Sequence, residues 1–274
     1  SMRRAYADRS SYLGDPDFFP VPVAELTDKQ YAAELRGQIN LQKSSRSADI
    51  RPGLDGTSAG KESTETTHFS TWDQWGNVVS NTYTLNFSYG SGISVAGAGF
   101  LLNNEMDDFS AKPGSPNGYG LVGGVANAIE PGKRPLSSMT PTIVFDNTGA
   151  PILATGSPGG STIITIVMQM VLNHIDFEMN VAEATAAPRI HHQWLPDLVF
   201  YESGVSADTL QLLREMGHQL NDKTSRLGAT QSIQAGAEGA VGTGTMVYGT
   251  ADYRRDGSGA AVPLNSGPLA EKQQ

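Results

Sequence analysis

The chain changes its hydrophobic periodicity abruptly at Thr66, and this change constrains its fold more than any other feature. Residues 43–65, "KSSRSADIRPGLDGTSAGKESTE", are rich in Ser, Thr and Gly and carry no apolar repeat. Such a stretch is expected to be an exposed, mobile linker. From Thr66 onward "THFSTWD" and "NVVSNTYTLN" alternate about the turn "QWGN", which predicts a β-hairpin. In the second strand Val79, Asn81, Tyr83 and Leu85 share one face, and Ser80, Thr82, Thr84 and Asn86 share the other. A face that polar is not ordinary core. It either looks outward from an edge strand or serves a site.

The remaining segments fill in the layers. "ELTDKQYAAELRGQIN" (25–40) predicts a helix capped at Thr27, with Gln30 three residues on. "PTIVFD" and "PILATGS" predict a second hairpin about "NTGA". "GSPGGSTIITIVMQMVLNHI" (156–175) reads as a glycine turn opening a helix with Ile163, Ile164, Val167, Met168, Val171, Leu172 and Ile175 on one broad apolar face. A helix is predicted over 206–217, and "TQSIQAGAEGAVGTGTMVYG" predicts a closing hairpin. The last 20 residues are polar and expected to fray. Strands and amphipathic helices in mixed order imply a layered α/β or α+β protein. With 274 residues, the chain suits one large or two small domains with a substantial core.

Several function classes drop out. A net charge of −9 and the lack of a Lys/Arg run argue against a nucleic-acid surface. The absence of cysteine removes disulfides, thiolate zinc sites and thiol catalysis. No apolar run approaches the roughly 20 residues of a membrane-spanning helix, and no signal peptide is visible. Ser1 ahead of Met2 reads as the remnant of a removed tag, so the natural N-terminus, and any targeting segment with it, is expected to lie outside this chain.

Candidate chemistry is dispersed. The five histidines, His68, His174, His191, His192 and His218, do not have metal-ligand spacing. No G-x-S-x-G elbow marks a serine triad. "GSPGG" before an apolar helix offers free N–H donors for an anion or oxyanion, or else is a plain tight turn. It is no phosphate loop, because the lysine is missing. Glu105, Asp107 and Asp108 in "LLNNEMDDFSAKPG" form an ammonium site or a solvated acidic loop. Ser137 and Ser138 in "KRPLSSMTP" donate to a carboxylate or shape a turn.

Taken together and in order, "TTHFS", "NTYTLN", "LLNNEMDDFSAKPG", "YGLVGG", "KRPLSSMTPTIV", "TGSPGGS" and "APRIHHQWLPD" resemble the small subunit of the gamma-glutamyltranspeptidase family, from Thr66 to about Arg255. "YLGDPDFFPVPVAELTDKQYA" and "IRPG" resemble the end of that family's large subunit. The resemblance implies an α+β N-terminal nucleophile (Ntn) hydrolase with an αββα sandwich. It divides the chain into residues 1–42 (end of the large subunit), 43–65 (pre-cleavage linker) and 66–274 (small, catalytic subunit). It implies self-cleavage between Glu65 and Thr66, after which the Thr66 hydroxyl attacks the γ-glutamyl amide of a substrate such as glutathione. Water or the amine of an amino acid or peptide then takes the γ-glutamyl group. No metal or organic cofactor is called for.

The family pattern also implies roles. Thr84 would orient Thr66, while Asn86, Glu105 and Asp108 would hold the substrate α-ammonium. Ser137 and Ser138 would bind the α-carboxylate, and the N–H groups of Gly159 and Gly160 would stabilise the oxyanion. Thr67, His68, His191 and His192 belong to the motifs as supporting residues. A periplasmic or secreted location follows from the same resemblance. Most of the large subunit is absent from this chain, including an arginine that clamps the substrate carboxylate and that none of the arginines here matches. The missing portion is therefore an expected partner. The alternative is a truncated, uncleaved and catalytically silent fragment or binding subunit. A relative acting on β-lactam side chains or poly-γ-glutamate is a third reading.

Overall fold

The alternating segments fold into two antiparallel sheets that meet through polar side chains. The computed structural model describes residues 1–54, 60–61, 66–110, 112, 121–236 and 246–261. Its helices are α1 (Met2–Tyr12), α2 (Val23–Leu26), α3 (Lys29–Gly37), α4 (Ile163–Ile175), α5 (Val181–Ala186) and α6 (Ala207–Glu215). Its strands are β1 (Gly60–Lys61), β2 (Thr67–Trp72), β3 (Val78–Tyr83), β4 (Leu121–Val122), β5 (Thr142–Phe145), β6 (Pro151–Thr155), β7 (Ile190–His191), β8 (Phe200–Tyr201), β9 (Gln231–Ala235) and β10 (Val247–Ala251). The main sheet runs β10-β9-β6-β5, and β2 and β3 form the predicted hairpin. The second and closing hairpins pair as the alternation implied.

The hairpin lies on one face of the main sheet. Ser70 Oγ donates to Gln231 O and Ser80 Oγ to Thr155 O, both at 2.9 Å. The opposite face carries the helices: Val181 N at the start of α5 donates to Gln234 Oε1 at 2.7 Å. The architecture is α+β, with a helix layer on a four-stranded sheet on a two-stranded sheet. These are three of the four layers of an αββα sandwich. The polar face of β3 therefore points inward and is satisfied across the sheets. The apolar side chains of the same hairpin, Phe69, Val79 and Tyr83, are 44–55% exposed. Hydroxyls can replace aliphatic packing here because each finds a partner, without which burial would be costly.

Three other expectations are corrected. Residues 25–40 do not form one helix. Thr27 Oγ1 bonds back to Val23 O at 2.7 Å and closes α2, while Asp28, not Thr27, caps α3 by accepting from Gln30 N and Tyr31 N. The buried face of α4 is Ile163, Ile166, Val167 and Met170, and Met168, Leu172 and Ile175 stay exposed. The helix is rotated because Thr165 turns inward to meet His191 Nδ1 at 2.7 Å. The stretch before Thr66 is not exposed throughout. Ile50 packs with Tyr6, Ala7 and Trp194. Ser47 is buried, giving its N–H to Asp197 Oδ2 at 2.7 Å and its carbonyl to Trp194 Nε1 at 2.9 Å. Glu65 lies outside the described residues, as does the chain beyond residue 261.

A buried ionic clasp ties the end of β10 to the core. Arg189 reaches Asp252 at 2.7 Å, and Arg254 reaches Glu202 at 2.6 Å and Asp252 at 3.1 Å. Both guanidinium groups also donate to main-chain carbonyls, Arg189 to Leu227 O and Arg254 to Thr185 O and Ala187 O. Burial alone would raise the Asp252 carboxyl. Arg189 beside it, together with N–H donation from Arg254 and Thr230, holds it below the ordinary range. Removing one charge strands the others in low dielectric. Asp252→Asn is expected to lower unfolding free energy by about 3–5 kcal/mol, read from urea denaturation at pH 7. A change under about 1 kcal/mol, the scale of a surface pair, would mean that the clasp is solvated.

Candidate active site

Thr66 stands immediately before β2, where the hairpin reaches the glycine turn ahead of α4. Its Oγ1 donates to Thr84 Oγ1 at 3.3 Å, and Thr84 Oγ1 also accepts from Asn86 N at 2.8 Å. β3 ends at Tyr83, so Thr84 and Asn86 leave the strand. Asn86 takes a left-handed φ of 71°, a conformation Asn tolerates better than most residues. The turn buries Asn86, whose Nδ2 donates to Asn104 O at 3.2 Å. That bond draws the acidic segment toward Thr66.

Thr66, Thr84 and Asn86 open onto one cleft. Asp108 and the pair Ser137–Ser138 form its other walls, and Gly160 and Ile163 its floor. Seven of the expected site residues thus come together. Two do not reach the lining. Glu105 begins the 3-10 turn Glu105–Asp108, and its Oε1 is buried without a hydrogen-bond partner. Gly159 sits directly behind Gly160, with φ of 139°. At that φ any side chain would be strained, so the turn requires glycine. Among the described residues no hydrogen bond within the protein takes up the N–H of Gly159 or Gly160, which leaves both donors for a ligand.

The glycine turn is supported from behind by residues whose chemical role the sequence did not show. Tyr6 Oη of α1 donates to Ser161 O. Ser161 Oγ donates to Gln193 Oε1 at 2.8 Å, and the same oxygen lies 3.0 Å from His191 Nε2. His192 Nε2 lies 3.2 Å from Asp197 Oδ1. His68 bridges Thr82 Oγ1 at 2.8 Å and Ser70 Oγ at 3.1 Å. None of these three histidines lines the cleft. Burial pushes His68 and His191 down to about 4 and His192 to about 3, so all three are neutral at physiological pH.

Two further residues escaped sequence reasoning because their partners are remote in the chain. Arg9 Nη2 of α1 donates to Ser138 Oγ at 2.7 Å, placing a guanidinium behind the serine wall. Asn127 is buried and bonds both the acidic turn and the serine loop. Among the described residues no group of three His, Asp or Glu could hold a metal ion, and no helix is long and apolar enough to cross a membrane. The cleft thus gathers a threonine hydroxyl, the edge of a glycine turn, an acid and two serines, the group types that acyl transfer through a hydroxyl would use.

Comparison with known proteins agrees. The family model described as Gamma-glutamyltranspeptidase matches residues 1–262. The "Glutathione hydrolase proenzyme" of Escherichia coli strain K12 is 56% identical over 250 residues, which is 91% of this chain and 41% of that protein. The crystal structure of a Helicobacter pylori gamma-glutamyltranspeptidase mutant is 55% identical with a TM-score of 0.65, covering 69% of this chain and 100% of that one. A cephalosporin acylase from Bacillus halodurans is 28% identical with a TM-score of 0.78, covering 95% of this chain and 43% of that one. The chain thus spans less than half the length of the E. coli relative.

The buried histidines make stability depend on pH. Their folded pKa values lie below the unfolded value of about 6.5. Between about pH 6.5 and 4 the unfolded chain therefore binds more protons, and stability falls as pH falls. The slope is about 1.4 kcal/mol per pH unit for each histidine that stays neutral. Urea denaturation at pH 7 and pH 5 is expected to show the loss, and His191→Gln to reduce the slope. An unchanged slope in that variant would place His191 in contact with solvent.

Proposed function

Because the chain belongs to the gamma-glutamyltranspeptidase family, we propose that its cleft transfers γ-glutamyl groups through an ester on Thr66, once the Glu65–Thr66 bond has been cut. The observation that carries this reading is the Thr66–Thr84 hydroxyl pair at 3.3 Å, opening on the cleft that Asp108, Ser137, Ser138 and Gly160 also line. A threonine hydroxyl attacks only when a base takes its proton. An amide nitrogen is no base, whereas a freed α-amine with pKa of about 7.7–8.0 is partly neutral near pH 7. Cleavage would therefore give Thr66 both its nucleophile and its base.

In this mechanism the γ-carbonyl of a compound such as glutathione lies between Thr66 Oγ and the glycine turn. Thr84 holds the Thr66 side chain in place until the freed α-amine takes over as acceptor of the hydroxyl proton. As the C–O bond forms, the hydroxyl proton passes to the α-amine. The oxyanion is held by the Gly159 and Gly160 N–H groups. Collapse breaks the C–N bond, the proton moves to the leaving amine, and the γ-glutamyl ester remains. Water, or the amine of an amino acid or peptide, then repeats the sequence in reverse order. Asn86, Glu105 and Asp108 hold the α-ammonium and Ser137 and Ser138 the α-carboxylate, with Arg9 bracing Ser138. No step calls for a metal or an organic cofactor.

Residues 1–42 serve as the end of the large subunit, 43–65 as the segment ahead of the cut, and 66–274 as the catalytic portion. The rest of the large subunit acts as partner, and a periplasmic or secreted location belongs to the same reading. A second reading is a silent fragment or binding subunit. A β-lactam-side-chain acylase is disfavoured by Asp108 in the cleft, because an acid there suits an α-ammonium.

Intact-mass measurement after incubation at neutral pH is expected to show two fragments cut at Glu65–Thr66, with turnover of a γ-glutamyl anilide. Thr66→Ala is expected to remain one species with no turnover, and Thr66→Ser to retain cleavage. A single wild-type species without turnover would favour the silent fragment.

A further inference from the structure

The recognition end of the cleft is built from two loops, and nothing in a sheet fixes their separation. One is the 3-10 turn Glu105–Asp108, which brings the Asp108 side chain to the lining. The other is the loop carrying Ser137 and Ser138. Between them sits Asn127, the last residue of the 3-10 turn Val125–Asn127 and only 5% exposed. Its Nδ2 donates to Asp108 O at 2.7 Å. Its Oδ1 accepts from Leu136 N at 3.0 Å, one residue before Ser137. Its own carbonyl accepts from Ser110 N at 2.8 Å, and its N–H donates to Gly124 O at 3.3 Å.

We propose that Asn127 is the strut that sets the distance between the acidic wall and the serine wall, and so selects ligands bearing an ammonium and a carboxylate on the same carbon. The residue touches no part of the cleft and is a positioning residue. Its chemistry suits that task. One wall presents a carbonyl and needs a donor, and the other presents an N–H and needs an acceptor. A primary amide supplies both in a planar fork of fixed span. A carboxylate lacks the donor, and an apolar side chain would leave two buried main-chain groups unpaired. Glutamine keeps both groups but adds one carbon, lengthening the strut by about 1.5 Å. The acidic wall is held independently on its other side, where Asn86 Nδ2 donates to Asn104 O. The serine wall is held on its own far side by Arg9 Nη2, which donates to Ser138 Oγ at 2.7 Å, so a longer strut forces the two walls apart instead of shifting both together.

The proposal rests on the γ-glutamyl reading, and the experiment separates the two. Isothermal titration of the whole chain uses three probes: L-glutamate, glutarate, which lacks the α-ammonium, and 4-aminobutyrate, which lacks the α-carboxylate. The wild type is expected to prefer L-glutamate over both by roughly tenfold or more, since each truncation removes a charge-assisted contact. Asn127→Gln is expected to erase most of that preference, weakening L-glutamate by roughly tenfold while the truncated probes change little. Asn127→Ser, smaller and unable to span the loops, provides a second variant with the same expectation. A folded variant that keeps the wild-type preference, with only a lower melting temperature, overturns the strut and leaves the γ-glutamyl reading standing. A wild type with no preference for L-glutamate overturns both.

Discussion

The seat of the His68 ring against Gly156 is the contact on which the rest of the cleft depends. A Cβ placed on Gly156 would lie 2.2 Å from the imidazole Cε1, so only glycine permits the two sheets to approach this closely. His68 belongs to the strand that Thr66 precedes. Gly156 begins the turn that leads to Gly159 and Gly160. The imidazole thus sets the spacing between the strand that Thr66 precedes and the glycine turn. Thr82 and Ser70 hydrogen-bond its two nitrogens, and burial keeps the ring neutral, with its pKa at about 4. A charged ring here would have no counter-ion among the partners it bonds. The inward polar face of β3 follows from the same constraint, because an imidazole packed between sheets needs hydroxyl neighbours rather than aliphatic ones.

Much of this was legible in the sequence, for local reasons. The three large hairpins follow from period-two alternation and from turn residues such as "QWGN" and "NTGA". The positions of Thr66, Thr84, Asn86, Asp108, Ser137, Ser138 and Gly160 follow from motif resemblance, and the structure assembles them in one cleft. What remained illegible depends on partners far apart in the chain. Arg9 meets Ser138 and Asn127 meets Asp108 and Leu136, and no local pattern announces either set. The rotation of α4 had the same origin. Apolar spacing placed Met168 and Leu172 on one face with Ile163 and Val167, but Thr165 bonds His191 and turns them to the surface. Thr27, with Gln30 three residues on, matches the capping-box spacing, but its hydroxyl closes the preceding turn.

Some unusual backbone and one unpartnered carboxylate oxygen lie around the cleft, although Glu178 and Trp194 take left-handed φ elsewhere. Asn86 holds a left-handed φ beside the hydroxyl pair, and Gly159 adopts a conformation closed to side chains. Glu105 keeps a buried carboxylate oxygen without a hydrogen-bond partner. The ionic clasp at Arg189, Asp252, Glu202 and Arg254 lies away from the cleft lining, where a paired and hydrogen-bonded set of charges anchors the last strand.

The geometry also bears on what a cut before Thr66 would separate. α1 is N-terminal to that bond, yet it contributes to the site: Tyr6 meets Ser161 behind the glycine turn, Arg9 meets Ser138, and Arg3 meets Asp197 at 2.7 Å. The stretch after α3 is anchored as well. Asp8 accepts from Gly53 N at 2.8 Å and from Tyr31 Oη at 2.7 Å, and Ile50 fills the small core beside Trp194. Hydrolysis of one peptide bond removes none of these contacts, because none of them passes through it. The described residues upstream of Thr66 therefore brace the serine loop and the glycine turn from behind. Arg9 and Tyr6 would go on bracing the serine loop and the glycine turn in a chain cut at that bond.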